Sequence, residues 1–230
     1  MQTSIPKEAK ILITIAILVI VGAVALAITK PKVGPAAKQV TESTLIRDNS
    51  HSLIAGAATN GAAAIKTKVR IVEFGDYQCP ACGYAEPIVQ KILLDYKDNP
   101  NVSFTFRNFP LSSVHPNAIP SAIAAETAAQ HGKFWEMHDM LYAKQTEWSD
   151  LGDATTSFVN YAEAIGVETI PFKSDLTSKK YLSFVTDDRK DGTDIDITGT
   201  PTFFINGEQL GNGVPTYEAF KAKIDSLLAQ

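Results

Sequence analysis

The run Val69-Arg70-Ile71-Val72-Glu73-Phe74 is followed, after four intervening residues, by Cys79-Pro80-Ala81-Cys82. The first run predicts a buried strand, and the residues from Ala81 to about Tyr96 predict a helix. A Cys-x-x-Cys pair placed where a strand leads into a helix is suited to electron exchange. The helix amides and dipole stabilise a thiolate on the first sulfur, and the second sulfur lies one turn away.

The same pair has two other interpretations, half of a zinc site or two small buried apolar side chains. Zinc needs two further ligands, and the histidines of the chain show no finger-like spacing to the pair; they are His51, His115, His131 and His138. The chain has only two cysteines, so neither belongs to an internal framework of structural disulfides. The motif and its strand context favour redox chemistry.

The N-terminal segment contains an apolar run, Ile11 to Ile28, with lysines on both sides. Its length is near the lower edge of the roughly 17 to 25 residues that span a bilayer. Small-x-small triplets such as Ala23-Val24-Ala25 make a cleaved secretory signal the alternative. We expect residues 1–29 to be an uncleaved, single-pass membrane anchor with the catalytic domain outside the cytoplasm. If the segment is cleaved, the domain is secreted or periplasmic.

The remaining sequence is typical of one tethered globular domain. Residues 30–64 are a predicted tether and lead-in, and residues 65–230 are long enough for a domain with a substantial core. The formal net charge of −4 argues against a nucleic-acid partner, which would require a basic face.

The order of predicted elements indicates an α/β domain. A second strand is predicted at Val102 to Phe106, and a helical block at about 117–192. A strand at Pro201 to Ile205 then leads into the tight turn Asn206-Gly207, and a helix runs to Leu228. This order predicts a thioredoxin-like fold with a helical insertion, preceded by a transmembrane helix.

Four stretches of the chain resemble the DsbA-like thiol:disulfide oxidoreductases, in particular their membrane-tethered bacterial branch. They are Ile71–Cys82 with its Cys-Pro-Ala-Cys, Phe109–Ala118 with its His-Pro, Gly132–His138, and Gly199–Gly207 with its Gly-Thr-Pro-Thr. The resemblance spans about 69–228. It implies a protein disulfide oxidase or isomerase that needs no metal and no organic cofactor.

The resemblance also implies roles for the dithiol and for the residues facing it. Cys79 is the expected exposed nucleophile, and Cys82 the expected buried, resolving cysteine. Pro201 matches the family's cis-proline, which would turn the Thr200 backbone outward to pair with a substrate strand. The alternative is that Thr-Pro merely begins a strand.

Two further residues match family positions. Glu73 matches a buried carboxylate below the dithiol, where a raised pKa would let it relay a proton to or from Cys82. Its alternative role is in a structural ion pair with Lys66 or Lys68. His115 matches a histidine near the substrate groove, and its alternative is a helix-entry histidine bonded to the backbone.

The predicted function is disulfide exchange with exported cysteine-containing proteins, with the oxidant role favoured. A redox partner, such as a membrane quinone-linked oxidase, would reset the dithiol. Two departures leave the direction of electron flow open. The strongest oxidants of the family have histidine where this chain has Ala81, and Thr200 also occurs in branches that isomerise or reduce. The alternative functions are a tethered peptide-binding chaperone and a dedicated thiol reductant or isomerase.

Overall fold

The computed structural model describes residues 40–211 and 213–230. The predicted membrane anchor and the first part of the tether therefore lie outside the described residues. Within these two ranges, no helix combines the length and the apolarity needed to cross a membrane.

Short helices and strands alternate along the described chain. In chain order they are α1 (Glu42–Leu45), β1 (His51–Ile54), β2 (Ala57–Asn60), α2 (Gly61–Ala64), β3 (Val69–Gly75), α3 (Pro80–Asp95), β4 (Val102–Asn108), α4 (Ala118–Ala129), α5 (Phe134–Ala143), α6 (Gln145–Trp148), α7 (Thr155–Ala164), α8 (Thr169–Thr177), α9 (Leu182–Asp194), β5 (Thr202–Ile205), β6 (Glu208–Gln209) and α10 (Tyr217–Leu228).

The strands form one six-stranded sheet in the order β2-β1-β4-β3-β5-β6. Strands β3 and β4 are parallel and are joined by the crossover helix α3, whereas β5 is antiparallel to β3. The central strands are buried on both faces, which explains the nearly continuous apolar run of β3. The predicted thioredoxin-like α/β fold is confirmed. The arrangement places the carboxyl end of β3 and the beginning of α3 at one edge of the sheet.

Helices α4 to α9 lie between β4 and β5 in the chain and pack mostly on one another. Phe134, Met137 and Leu141 of α5 are buried in the main core. Trp148 is fully buried, and its indole N–H donates to the Leu141 carbonyl at 2.9 Å. These large side chains fill the interior of the helical block, so they are not available to contact substrate.

The stretch before β3 is more ordered than the sequence indicates. We predicted a tether and lead-in over residues 30–64, yet α1 packs Leu45 and Ile46 into a second apolar cluster. The Gly/Ala-rich part forms the hairpin β1–β2, with Ala55 and Gly56 at positive φ in the turn. Pairing of β1 with β4 stabilises this hairpin. Because the pairing is a tertiary contact, the local sequence does not reveal it.

Candidate redox site

The two cysteines lie at the N-terminus of α3. Cys79 is the N-cap residue, and Pro80 occupies the first helical position, where its missing N–H costs nothing. Cys79 is 7% exposed and Cys82 is 1% exposed. Cys79 is thus the more accessible sulfur, but it is less exposed than the resemblance implied. Its Sγ lies 3.5 Å from the Thr200 carbonyl oxygen, which partly covers it.

Hydrogen bonds stabilise the Cys79 thiolate. The thiol of Cys82 and the backbone amides of Cys82 and Ala81 help to lower the pKa of Cys79 to about 5, although burial opposes them. None of these donors is the side chain of the residue between the cysteines. A stabilised thiolate at neutral pH is what a nucleophilic or leaving cysteine requires.

Cys82 has the opposite character. Burial raises the pKa of its thiol well above the ordinary value, and the Cys79 sulfur and the Glu73 carboxylate raise it further. The Asp76 backbone amide lies 3.5 Å from its sulfur and partly offsets this shift. The two thiols are therefore electrostatically unequal, as expected of a nucleophile and a resolving cysteine.

We expect the Cys79 thiol of the reduced protein to titrate with a midpoint near pH 5. Because its folded pKa is lowered, the thiolate stabilises the reduced fold increasingly as pH rises from about 5 towards the ~8.5 of a free thiol. Absorbance of the thiolate at pH 3 to 9 measures the midpoint, with Cys79→Ser as the control. A midpoint near 8.5 would contradict the hydrogen-bond network described above.

Pro201 follows a cis peptide bond from Thr200. The loop that carries it contacts Cys79 through the Thr200 carbonyl, so the proline loop and the dithiol face each other as the resemblance implied. The same loop lines a cleft of about 490 Å³ that is also bordered by Gly199 and Gln209. An extended peptide therefore has space beside the Thr200 backbone.

Glu73 lies in the middle of β3, paired with Phe106 on one side and Phe203 on the other. It is 1% exposed, and burial raises the pKa of its carboxyl well above the ordinary value, with Glu86 adding repulsion. Its Oε2 is buried without a hydrogen-bond partner. A protonated Glu73 is a candidate proton donor to Cys82, because its carboxylate raises the pKa of that thiol.

The structure gives no support to the alternative ion pair with Lys66 or Lys68, since Lys66 is exposed and the buried Oε2 of Glu73 has no hydrogen-bond partner. The ammonium group of Lys68 donates to the Leu228 carbonyl at 2.9 Å, at the far end of α10. The carboxyl of Glu73 therefore has the features of a proton relay, namely burial, a raised pKa and an electrostatic effect on Cys82.

Asp76 was not among the residues predicted from the sequence. Its buried carboxylate accepts hydrogen bonds from the Gln78 amide at 2.8 Å, the Leu111 amide at 2.9 Å and His115 Nδ1 at 2.7 Å. It thereby fixes the loop before Cys79 against the loop that contains His115. An acidic residue just after a predicted strand and close to a Cys-x-x-Cys pair is the signal that would have found it.

His115 lies on the rim of a groove of about 440 Å³ beside the dithiol. Its ring Nδ1 is hydrogen-bonded to the Asp76 carboxylate. The alternative, a helix-entry histidine bonded to the backbone, does not include this contact. The same groove is lined by Pro80, and also by Val114 and Leu151, which are 68% and 42% exposed. Exposed apolar side chains next to a reactive sulfur are suited to unfolded polypeptide.

The described residues give no support to a zinc site at the dithiol. In the ranges 40–211 and 213–230, the only cluster of side chains close enough to share a metal ion does not include either cysteine. The two sulfurs contact each other, Thr200 and backbone amides instead.

Comparison with known proteins places the chain among thioredoxin-fold proteins. A family model described as thioredoxin matches residues 61–226. Among curated relatives, the chain is 38% identical to the Na(+)/H(+) antiporter NhaA 1 of Salinispora arenicola over 70% of its own length. The chain spans only about a quarter of that antiporter, 23%.

Two other relatives match over nearly their full length. The probable disulfide bond formation protein D of Bacillus cereus is 27% identical, and the match covers 95% of this chain and 94% of the relative. The crystal structure of oxidised BdbD from Bacillus subtilis superposes with a TM-score of 0.69 at 23% identity. That match covers 84% of this chain and 98% of BdbD, and it shows the shared fold.

Proposed function

The chain belongs to the thioredoxin family, and on this premise we propose that it is a DsbA-type thiol:disulfide oxidoreductase that oxidises exported proteins. The inequality of its two cysteines carries this proposal. Cys79 has a lowered pKa and directly precedes Pro80, which lines a groove, whereas Cys82 is buried with a raised pKa. The name of the Bacillus cereus relative, a probable disulfide bond formation protein, agrees with this chemistry.

The first step of the proposed reaction opens the Cys79–Cys82 disulfide. A substrate thiolate attacks Cys79 Sγ, a bond forms between the two sulfurs, and Cys82 Sγ departs with the electron pair. Because the pKa of Cys82 is raised, its thiolate is a poor leaving group and takes up a proton. Glu73, whose own raised pKa keeps a proton available, supplies it.

The second step releases the substrate. A second thiolate of the substrate attacks the substrate sulfur of the mixed disulfide, a new substrate disulfide forms, and Cys79 Sγ leaves as a thiolate. The low pKa of Cys79 makes it a good leaving group. The substrate loses two electrons, and the dithiol of this protein gains them.

The oxidant direction is supported by the stabilised Cys79 thiolate. Interactions that stabilise the reduced form make a disulfide more oxidising. This chain has Ala81 where the strongest oxidants have histidine, but the donors at Cys79 are the Cys82 thiol and the helix amides. The site therefore supports an oxidant without that histidine.

The proposed setting is outside the cytoplasm, with residues 1–29 as the anchor. Export places the domain where cysteine-containing substrates emerge reduced, and an oxidising compartment suits a working disulfide. A membrane partner, such as a quinone-linked oxidase, would accept the two electrons and restore the Cys79–Cys82 disulfide.

The function is tested by the redox state of the dithiol in cells and by exchange with glutathione. We expect the Cys79–Cys82 pair to be mostly oxidised in growing cells, and Cys79 to react with a membrane-impermeant maleimide after mild reduction of intact cells. The purified oxidised full chain should oxidise a reduced, unfolded polypeptide stoichiometrically. Cysteines that are isolated reduced, with a disulfide that glutathione does not open, would instead identify a reductant.

Exposed apolar side chains line the groove beside Pro80 and Val114. A tethered chaperone is therefore the second candidate function. The variant with both cysteines replaced by serine distinguishes the two functions. A chaperone would still suppress aggregation of an unfolded client, whereas an oxidoreductase would lose its disulfide-forming activity completely.

Glu73→Gln should slow substrate oxidation about 10²-fold, the usual contribution of a positioned acid. It should also change the pH dependence of stability. The raised folded pKa of Glu73 means that wild type loses stability as pH rises above about 4.3 through that pKa. The variant should therefore gain stability relative to wild type as pH rises.

Single-turnover oxidation and denaturant unfolding at pH 4 to 8 measure these two effects. The exposed Glu163→Gln is the matched control and should alter neither. An unchanged rate for Glu73→Gln across this range would remove Glu73 from the mechanism.

A further inference from the structure

A second polar cluster lies in a cleft of about 310 Å³ between α3 and α5. Glu86 and Gln90 of α3 and Asp139 of α5 line this cleft, together with Tyr142. None of these residues lines the groove beside Cys79 or the cleft beside Pro201. The reaction described above does not explain why two carboxylates and an imidazole converge here.

Three potential ligand atoms meet in the cluster. One atom each of Glu86, His138 and Asp139 lies within 4.8 Å of the other two. His138 Nδ1 is 3.1 Å from the Tyr77 hydroxyl, and Nε2 is 3.6 Å from Glu86 Oε2. In the tautomer with Nδ1–H donating to the Tyr77 oxygen, the lone pair of Nε2 faces the Glu86 carboxylate. Proteins commonly orient a ligating histidine by such a hydrogen bond from its other ring nitrogen.

Glu86 is 9% exposed, yet its Oε2 is buried without a hydrogen-bond partner. Its other oxygen accepts from Gln90 Nε2 at 2.6 Å, and the same Nε2 donates to Asp139 Oδ1 at 3.1 Å. Gln90 thus donates to one oxygen of each carboxylate and makes no hydrogen bond to the second oxygen of either. A buried carboxylate oxygen close to another carboxylate costs free energy unless a proton or a cation compensates it.

A simple Glu86–His138 ion pair would be the ordinary explanation. The 3.6 Å between Nε2 and Oε2 is an ion-pair distance, but it exceeds hydrogen-bond length, so Oε2 still has no hydrogen-bond donor. This separation matches two ligands of one ion better, because two atoms bound at about 2.1 Å in tetrahedral geometry lie about 3.4 Å apart. Asp139 is exposed and can rotate its carboxylate to complete the set.

We propose that Glu86, His138 and Asp139 form a binding site for a first-row divalent cation, with Zn²⁺ as the best match. One imidazole nitrogen and two carboxylate oxygens are ligands that Zn²⁺ accepts, and a fourth position opens to the cleft, where water can bind. The site ties the helix of the dithiol to the helical block. It lies one helical turn beyond Cys82, since Glu86 follows Cys82 by four residues on α3.

The test is Zn²⁺ binding by the oxidised full chain without a histidine tag. The disulfide prevents Cys79 and Cys82 from acting as ligands, and equilibrium dialysis with ZnCl₂ gives stoichiometry and affinity. We expect one Zn²⁺ per chain. Glu86→Gln and Asp139→Asn should each weaken binding at least about tenfold, since even outer-shell changes cost that much. His131→Gln, which removes an exposed histidine, is the matched control and should bind like wild type.

His138 is left unchanged because its ring packs against Tyr77, Phe106 and Tyr142, so its replacement would disturb the core. Co²⁺ provides a second readout, since its visible absorption should appear in wild type and be lost in Glu86→Gln. Far-ultraviolet circular dichroism confirms that each variant is folded. Absence of stoichiometric Zn²⁺ binding by wild type, or binding within twofold of wild type in both carboxylate variants, would overturn the proposal.

Discussion

Cys82→Ser should accumulate disulfide-linked complexes with exported proteins, whereas Cys79→Ser should accumulate none. In the Cys82 variant, the Cys79 thiolate attacks a client disulfide, one client sulfur leaves, and the mixed disulfide persists because no neighbouring thiol can displace it. In the Cys79 variant, the remaining sulfur is 1% exposed and its pKa is raised, so it neither meets a client nor ionises.

Acid trapping, alkylation and non-reducing electrophoresis measure these complexes, and the double serine variant sets the background. The difference should be nearly all-or-none, because the two sulfurs differ in both access and pKa. Equal trapping by the two single variants would show that the nucleophile and the resolving cysteine have been assigned incorrectly.

The sequence was sufficient to predict the core of the fold and the dithiol, because both depend on local patterns. An apolar run followed by Cys79-Pro80-Ala81-Cys82 predicts a strand, a helix N-cap and a reactive sulfur. The thioredoxin-like fold and the membership of its family are confirmed. The anchor over residues 1–29 stays a prediction, since it lies outside the described residues.

The features that the sequence did not reveal depend on contacts between distant segments. The Asp76 carboxylate is hydrogen-bonded to His115, which lies 39 positions later in the chain. Glu86 and His138 come together only because α3 and α5 pack side by side. Local propensity and periodicity describe one segment at a time, so such pairs become visible only in the folded structure.

How strongly the disulfide oxidises depends on the stabilisation of the Cys79 thiolate, and this was the expectation that depended most on the fold. Judged by Ala81 alone, the Cys79 thiolate lacks the family's histidine and should be less stabilised. The folded site supplies hydrogen bonds from the Cys82 thiol and from the helix amides, and they help to lower the pKa of Cys79 to about 5. These donors are aligned only once α3 has formed with Cys79 as its N-cap residue, so the residue types of the motif alone do not give the pKa.

Arg107 of β4 is the centre of a buried ionic network that joins three segments. Its guanidinium is 0% exposed and binds Asp188 at 2.6 Å and Asp191 at 2.5 Å, both on α9. It also donates to the Leu45 carbonyl at 2.6 Å, which holds α1 against the sheet. Burial raises the pKa of Asp188, and Arg107 is the main group that opposes this shift.

Arg107→Met should destabilise the fold by about 3–5 kcal/mol, the usual cost of leaving a buried charge without its partner. The loss should shrink as pH falls, because the raised pKa of Asp188 lets it take up a proton, after which it no longer needs a cation. Chemical denaturation of the full chain, followed by fluorescence of the buried Trp148, measures both effects. The exposed Arg189→Met on the same helix α9 is the control and should change stability by less than about 0.5 kcal/mol. A loss below about 1 kcal/mol for Arg107→Met would mean that Asp188 and Asp191 find other partners, and that α1, β4 and α9 are held together mainly by apolar packing.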